Sequence, residues 1–221
     1  AGRLLQREIE VLGNLREKPK RPFVAVLGGA KVSDKLGVIE SLLQIVDALV
    51  IGGGMCFTFL AAQGYPVGAS LCELDQLTTC KKLMEGSKPI YLPEDIVGLD
   101  ASGNFATFGI RLPEGAKGLD IGPDSAEAFK EVIANSATIL WNGPVGVFEL
   151  STFEKGTKAI ADAVVLGTKK GAFSLIGGGD SVAAINKFNY AGEVSYVSTG
   201  GGAMLEYLEG IELPGIKAII D

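Results

Sequence analysis

Short runs of four to six apolar residues recur along this chain, and each is followed by glycine or a glycine-bearing turn. Phe23-Val24-Ala25-Val26-Leu27 leads into Gly28-Gly29, after which Leu36, Ile39, Leu43 and Val46 mark one helix face. Ala48-Leu49-Val50-Ile51 leads into Gly52-Gly53-Gly54, and Thr138-Ile139-Leu140-Trp141 into Asn142-Gly143-Pro144. Ala172-Phe173-Ser174-Leu175-Ile176 leads into Gly177-Gly178-Gly179, and Val194-Ser195-Tyr196-Val197 into Ser198-Thr199-Gly200-Gly201-Gly202. Continuous apolar strands alternating with helices predict a parallel sheet covered on both faces. The expected fold is an α/β domain with a doubly wound, mainly parallel, Rossmann-like sheet. Pro89-Ile90-Tyr91-Leu92 adds a further strand. The turn cluster Asp100-Ala101-Ser102-Gly103-Asn104, between Ile96-Val97 and Phe105-Ala106-Thr107-Phe108, predicts a small hairpin decorating that sheet.

Ahead of these units, Leu5, Ile9 and Leu12, with Leu4, Val11 and Leu15 on a neighbouring stripe, predict an amphipathic helix. Pro19 and Pro22 break that pattern. Residues 1–20 therefore read as a helix and linker, and residues 21–221 as the main domain. Ala48 to Cys72 carries no charge and is long enough to cross a bilayer. The glycine triplet Gly52-Gly53-Gly54, Gln63-Gly64 and Pro66 interrupt it, so it reads as a buried strand-turn-helix and no membrane partner is expected.

Composition narrows the chemistry. The 221 residues contain no histidine, which excludes a His general base and His-ligated zinc. A formal net charge of −6 argues against nucleic acid as a partner. Three cysteines without a Cys-x-x-Cys pair support neither structural zinc nor a disulfide framework, and they favour a reducing, cytoplasmic setting. No secretory leader is apparent. The 31 glycines are about twice the usual share of roughly 7%.

Those glycines cluster after strands. In a parallel sheet the carboxyl ends of the strands form one rim, where glycine lets peptide N–H groups approach a ligand and helix N-termini favour anions. A single Gly-Gly also suits a plain tight turn; three triplets at matching ends favour a polyphosphate ligand. No Gly-x4-Gly-Lys-Ser/Thr and no Gly-x-Gly-x-x-Gly occurs, so any phosphate site is of another kind. Lys31 and Lys35, four apart after Gly28-Gly29, suit one side of a helix start and could clamp phosphate oxygens. Their alternative is a solvated face capped by Ser33 or Asp34. Asp180, after Gly177-Gly178-Gly179, is either a helix cap or a Mg²⁺ ligand, and Ser181 could serve either way. Asn142 can donate to phosphate, Glu149 can accept from ribose hydroxyls, and Val147 and Phe148 could line an adenine slot. Trp141, Phe57, Phe59 and Tyr65 read as core.

Six signatures then stand in order: Gly28 to Lys35, Gly52 to Phe59, Gly118 to Pro123, Trp141 to Glu149, Gly177 to Ser181, and Ser198 to Ala203. Together they closely resemble the phosphoglycerate kinase family. The resemblance spans this chain but only that family's C-terminal, nucleotide-binding half and the helix joining the halves. It implies that the N-terminal half, with the basic patch that binds phosphoglycerate, is absent from this chain. It implies reversible phosphoryl transfer between 1,3-bisphosphoglycerate and Mg-ADP, with Mg²⁺ and ATP/ADP as cofactors.

By the same resemblance Lys31 and Lys35 contact phosphates, Asp180 meets Mg²⁺, and Glu149 binds ribose. Gly53, Gly54 and Gly118 flank adenine, and Asn142 lies on the phosphate side. Helix starts at Gly178-Gly179 and Gly200-Gly201-Gly202 steady the phosphoryl group. Lys31, Gly178 and Gly201 are the expected catalytic residues, and Gly29, Ala30, Pro144, Val147 and Ser181 complete the expected nucleotide-binding set. Cys56 and Met204 depart from smaller residues often seen there. The reverse-direction acceptor is a carboxylate, ionised at neutral pH with an ordinary pKa near 4, so this half needs no general base. The isolated chain is expected to bind nucleotide with little turnover. Family members imply a monomer, while a severed helix exposing Leu4, Leu5, Ile9 and Leu12 could drive self-association. A non-catalytic nucleotide-binding module and a different small-molecule kinase are the competing readings.

Overall fold

The computed structural model describes residues 2–200 and 202–211. The chain opens with α1 (Gly2–Glu17), then β1 (Phe23–Leu27), α2 (Leu36–Ile45), β2 (Ala48–Ile51) and α3 (Cys56–Ala62). Next come α4 (Leu77–Met84), β3 (Ile90–Tyr91), β4 (Ile96–Leu99), β5 (Phe105–Phe108) and β6 (Lys117–Ile121). It closes with α5 (Pro123–Ala134), β7 (Thr138–Asn142), α6 (Lys155–Lys169), β8 (Phe173–Ile176), α7 (Gly179–Lys187), β9 (Tyr196–Val197) and α8 (Gly202–Leu208).

The large sheet has the order β3-β2-β1-β7-β8-β9, and every pairing in it is parallel. From β1 the chain winds outward through β2 to β3; from β7 it winds the other way through β8 to β9. Between β1 and β7 the winding reverses, which makes the crevice above their carboxyl ends the preferred ligand position of such a sheet. The register keeps those ends level: Leu27 pairs with both Ile51 and Asn142, and Trp141 with Ile176.

Alternation along each strand fills two cores. Phe23, Ala25, Leu27, Leu49, Ile51, Leu140 and Leu175 face one side, under α1, α2, α3 and α8 through Leu12, Ile39, Phe59 and Met204. Val24, Val26, Val50, Ile139, Trp141 and Ile176 face the other, under α5, α6 and α7 through Phe129, Ile133, Ile160, Val164 and Ile185. Each Val, Leu, Ile, Phe or Met among them, fully buried, contributes about 1.5–3 kcal/mol. The charge-free stretch from Ala48 is β2, a glycine turn and the seven-residue α3, and no described helix is long and apolar enough to cross a membrane.

Three expectations shift. The hairpin β4–β5 is present, but β6 pairs antiparallel with β4 to make a separate three-stranded sheet, β5-β4-β6. Lys117-Gly118-Leu119-Asp120-Ile121 carries two charges and a glycine, so its strand character comes from this non-local pairing rather than from its own pattern. In α1, Leu12 is buried with Leu15, while Leu4 and Leu5 are exposed. Leu12 therefore belongs to the core and drops out of any exposed apolar face. The strand expected over Val194–Val197 is shorter, because Ser195 Oγ and N–H are engaged with Ser174 ahead of β9.

Trp141 joins core and site. Its ring is fully buried, and its indole N–H donates to the Gly143 carbonyl at 2.8 Å, holding the turn after β7. Trp141→Phe removes that donor and leaves a void in the second core. Urea unfolding followed by far-UV circular dichroism is expected to show a loss of about 2–3 kcal/mol; a loss below about 0.5 kcal/mol would show that the indole bond does not brace the turn.

Candidate functional site at the strand tips

The ends of β1, β2 and β7 are joined backbone to backbone. Gly28 N–H donates to the Asn142 carbonyl at 2.9 Å, Gly29 N–H to Pro144 at 3.2 Å, Gly53 N–H to Val145 at 3.2 Å, and Met55 N–H to Gly29 at 3.0 Å. This approach needs residues without side chains. A Cβ on Gly28 would overlap the Pro144 carbonyl, and Gly53, at φ 72°, stands 2.7 Å by the same measure from the Gly29 backbone. The glycines after the strands are thus explained by contact between loops as well as by turn geometry.

Lys35 locks two of these tips. It is half-buried at the N-cap of α2, and its ammonium donates to the Gly28 carbonyl and to Asn142 Oδ1, the latter at 2.7 Å. Burial pushes its pKa down to about 8, against the opposing charges of Asp180 and Asp34. Asn142 is fully engaged, since its Nδ2 donates to the Gly177 carbonyl at 2.8 Å and so ties the β7 tip to the β8 tip. Its amide donor is turned inward, away from the open space where a phosphate donor was expected. Ser181 is buried, and its Oγ accepts from Gly143 N–H at 2.5 Å, bracing the turn instead of capping α7.

Lys31 and Lys35 do not share a helix face. The helix begins only at Leu36, leaving Lys31 on an exposed loop. That loop is fastened by Glu73, which accepts from Ser33 N–H at 3.1 Å and from Ser33 Oγ. Neither Ser33 nor Asp34 caps α2.

Above the joined tips lies a cavity of about 300 Å³. Gly29, Ala30, Gly53 and Gly54 line it from the first two tips. Gly118 lines it from β6, Pro144, Val147 and Glu149 from the loop after β7, and Asp180 from the first turn of α7. Lys31, Lys35, Asn142, Gly178, Gly179 and Ser181 are not in its wall; Lys35, Asn142, Gly178 and Ser181 lie in the bonded layer beneath it. Gly201 falls outside the described residues.

Phe148 turns away from the cavity into the second core, where Lys187 donates to its carbonyl at 2.8 Å and lies over its ring. Val147 alone of that pair is left for a ligand. Phe57 was read as core, yet it also forms cavity wall, packed against Gly118. Leu119, Asp120 and Gly146 in the wall lie within the Gly118–Pro123 and Trp141–Glu149 signatures but were given no role, because which side chains face the cavity depends on how β6 pairs and on how the loop after β7 rests against it. Glu8 of α1 went unread as well; its buried carboxylate accepts from Gly200 N–H at 3.2 Å and from Ser198 Oγ.

A Mg²⁺ ion usually keeps most of its waters and takes one or two carboxylates with phosphate oxygens. Asp180 suits that role: it is exposed, lines the cavity, and has no ion-pair partner among the described residues. Among those residues no cluster of three or more acidic or cysteine side chains could hold a metal unaided.

The family model for phosphoglycerate kinase matches residues 1–211. The chain belongs to the phosphoglycerate kinase family. Relatives named phosphoglycerate kinase from Rhodococcus jostii and Parafrankia are 52% and 53% identical to it, each over 99% of this chain and 56% of the relative. The solved phosphoglycerate kinase of Coxiella burnetii superposes with a TM-score of 0.89 at 43% identity, over 96% of this chain and 56% of that one. The Pyrococcus horikoshii phosphoglycerate kinase superposes at 0.85 with 32% identity, over 98% of this chain and 56% of that one. The chain thus spans about half the length of the phosphoglycerate kinases it matches.

The lowered pKa of Lys35 has a consequence for stability. Folded Lys35 loses its proton near pH 8 and unfolded Lys35 near 10.5, so stability from this group rises between those values and its full cost is present below pH 8. Wild-type stability is expected to gain on the order of 2 kcal/mol relative to Lys35→Met between pH 7 and 10, by urea unfolding. Parallel pH profiles for the two proteins would contradict the buried-ammonium assignment.

Proposed function

We propose that this chain is the C-terminal, nucleotide-binding half of a phosphoglycerate kinase, and that it holds Mg-ADP or Mg-ATP in the cavity above β1 and β7. What carries the reading is the convergence there of Gly29, Gly53, Gly118, Glu149 and Asp180, drawn from five separate segments onto one wall.

Phosphoryl transfer asks the protein for positioning and charge neutralisation more than for covalent chemistry. The base lies between the glycines of the β2 tip and Gly118, where peptide planes and the Phe57 ring offer flat apolar contact. Val147 closes that slot, and Glu149 at its edge accepts from ribose hydroxyls. The phosphates point toward Lys31, whose exposed, flexible ammonium reaches them. Lys35 holds the strand tips beneath, and an anion beside it favours its charged form. Asp180 holds Mg²⁺, which supplies positive charge to the phosphate oxygens. Gly178 and Gly179 present peptide N–H groups at the start of α7, with Gly201 as the expected counterpart before α8. The acyl-phosphate donor, 1,3-bisphosphoglycerate, arrives from the absent half, the terminal phosphate of ADP accepts its phosphoryl group, and the products are 3-phosphoglycerate and ATP, a step of glycolysis. Free Cys56, Cys72 and Cys80 suit a reducing cytoplasm.

Calorimetric titration of the chain with ADP, with and without Mg²⁺, tests the site. Asp180→Ala is expected to abolish most of the magnesium enhancement and to weaken Mg-ADP binding by about tenfold or more, a charge-assisted contact being worth about 1.5–3 kcal/mol. Unchanged affinity and magnesium dependence would refute the assignment of Asp180. ATP formation from an acyl phosphate is expected only when a separately made N-terminal half is added; robust turnover by the chain alone would show that the substrate site is misplaced.

A further inference from the structure

A buried aspartate on β6 has no part in the chemistry above. Asp120 is 4% exposed, and it faces both the nucleotide cavity and a neighbouring cavity of about 440 Å³ that reaches Phe105, Thr152 and Lys155. One carboxylate oxygen accepts from Gly156 N–H at 2.8 Å, in the first turn of α6. The other accepts from Ile121 N–H at 2.9 Å. Gly146 and Gly156 both stand against it, since a Cβ on either would overlap Oδ1.

The surrounding bonds lead to the rim of the cavity. The β4–β6 register slips between Val97 and Gly98, so Leu119 has no partner in that ladder. Its carbonyl accepts instead from Val147 N–H at 2.8 Å. Val145 N–H donates to Thr157 Oγ1 in α6 at 3.3 Å. The segment Pro144–Glu149 therefore rests on β6 and on the start of α6, and Asp120 is the side chain that joins those two supports.

A buried carboxylate ordinarily pairs with a cation. The charged residues lining the two cavities are Lys117, Glu149 and Asp180 on one side and Lys155 on the other. None of them sets its titration; burial raises its pKa to about 7, against the pull of the Gly156 and Ile121 N–H groups. A neutral side chain would occupy the space without that cost. The ionised group is what accepts both N–H bonds, whereas the acid places an O–H donor where one acceptor was.

We propose that Asp120 is a positioning residue for nucleotide binding: its ionised carboxylate holds the first turn of α6 to β6, the two elements on which the Pro144–Glu149 rim rests, and its protonation loosens that support and with it the rim. This rests on reading the cavity as the nucleotide site. Mg-ADP affinity of the 221-residue chain, measured at pH 6, 7 and 8, tests it against Asp120→Asn, which shares every other titration. Wild-type affinity is expected to rise from pH 6 to pH 8 by at least about threefold more than that of the variant. Identical pH profiles would overturn the proposal. A wild type that binds no Mg-ADP at any of these pH values overturns the site reading itself. The wild type also supplies a check that needs no variant. Its Gly156 amide resonance is expected to titrate near pH 7, and saturating Mg-ADP is expected to lower that midpoint by about 0.5 unit, the same threefold expressed as linkage. A midpoint unmoved by nucleotide overturns the proposal even if Asp120→Asn does not fold.

Discussion

Lys35 sends its ammonium between the ends of β1 and β7, where it meets the Gly28 carbonyl and the Asn142 amide oxygen. Those acceptors are uncharged, so the ammonium is held at a cost that its lowered pKa records. The arrangement persists because the tips around it are packed too closely to part. Gly28 abuts Pro144, Gly53 abuts Gly29, and Gly143 N–H is fixed by Ser181. The floor of the cavity is therefore a layer of backbone groups pinned by one strained cation. An anion placed above it would relieve part of that strain, which couples ligand binding to the stability of the fold.

The second support comes from the small sheet. Without β6 the cavity would be open on one side, since Gly118, Leu119 and Asp120 all belong to that strand. Its bulge turns the Leu119 carbonyl toward Val147, and Gly118 leaves room for Phe57. The parallel sheet thus provides the floor and the antiparallel sheet a wall, and the loop after β7 bridges the two. Glu8 of α1 reaches the loop at Ser198–Gly200, so the first helix contacts the tip region from yet another side.

Strands β1, β2, β7 and β8 of the large sheet were legible because each is a nearly continuous apolar run leading into a glycine-bearing turn, a pattern that burial on both faces explains. The rim was legible for the same reason: strand ends in a doubly wound sheet must lie together, and so Gly29, Gly53 and Asp180 meet. What escaped depended on rotation or on distant pairing. Lys31 and Lys35 look like helix neighbours by spacing, yet α2 starts one residue after Lys35. Val147 and Phe148 are adjacent in sequence but leave the loop on opposite sides, which only the packing of α6 and α7 against Phe148 decides. Asp120 sits in a strand whose residues have no clear alternation, and its burial follows from β4, more than twenty positions earlier.

A crystal structure of the chain with Mg-ADP is the most direct test of the claim that the strand tips form one nucleotide cradle. The account predicts the base between Gly53 and Gly118 beneath Val147, the ribose at Glu149, and the phosphates running toward Lys31 with the metal on Asp180. Nucleotide bound on another face of the sheet, or phosphates directed away from Lys31 and Asp180, would contradict it.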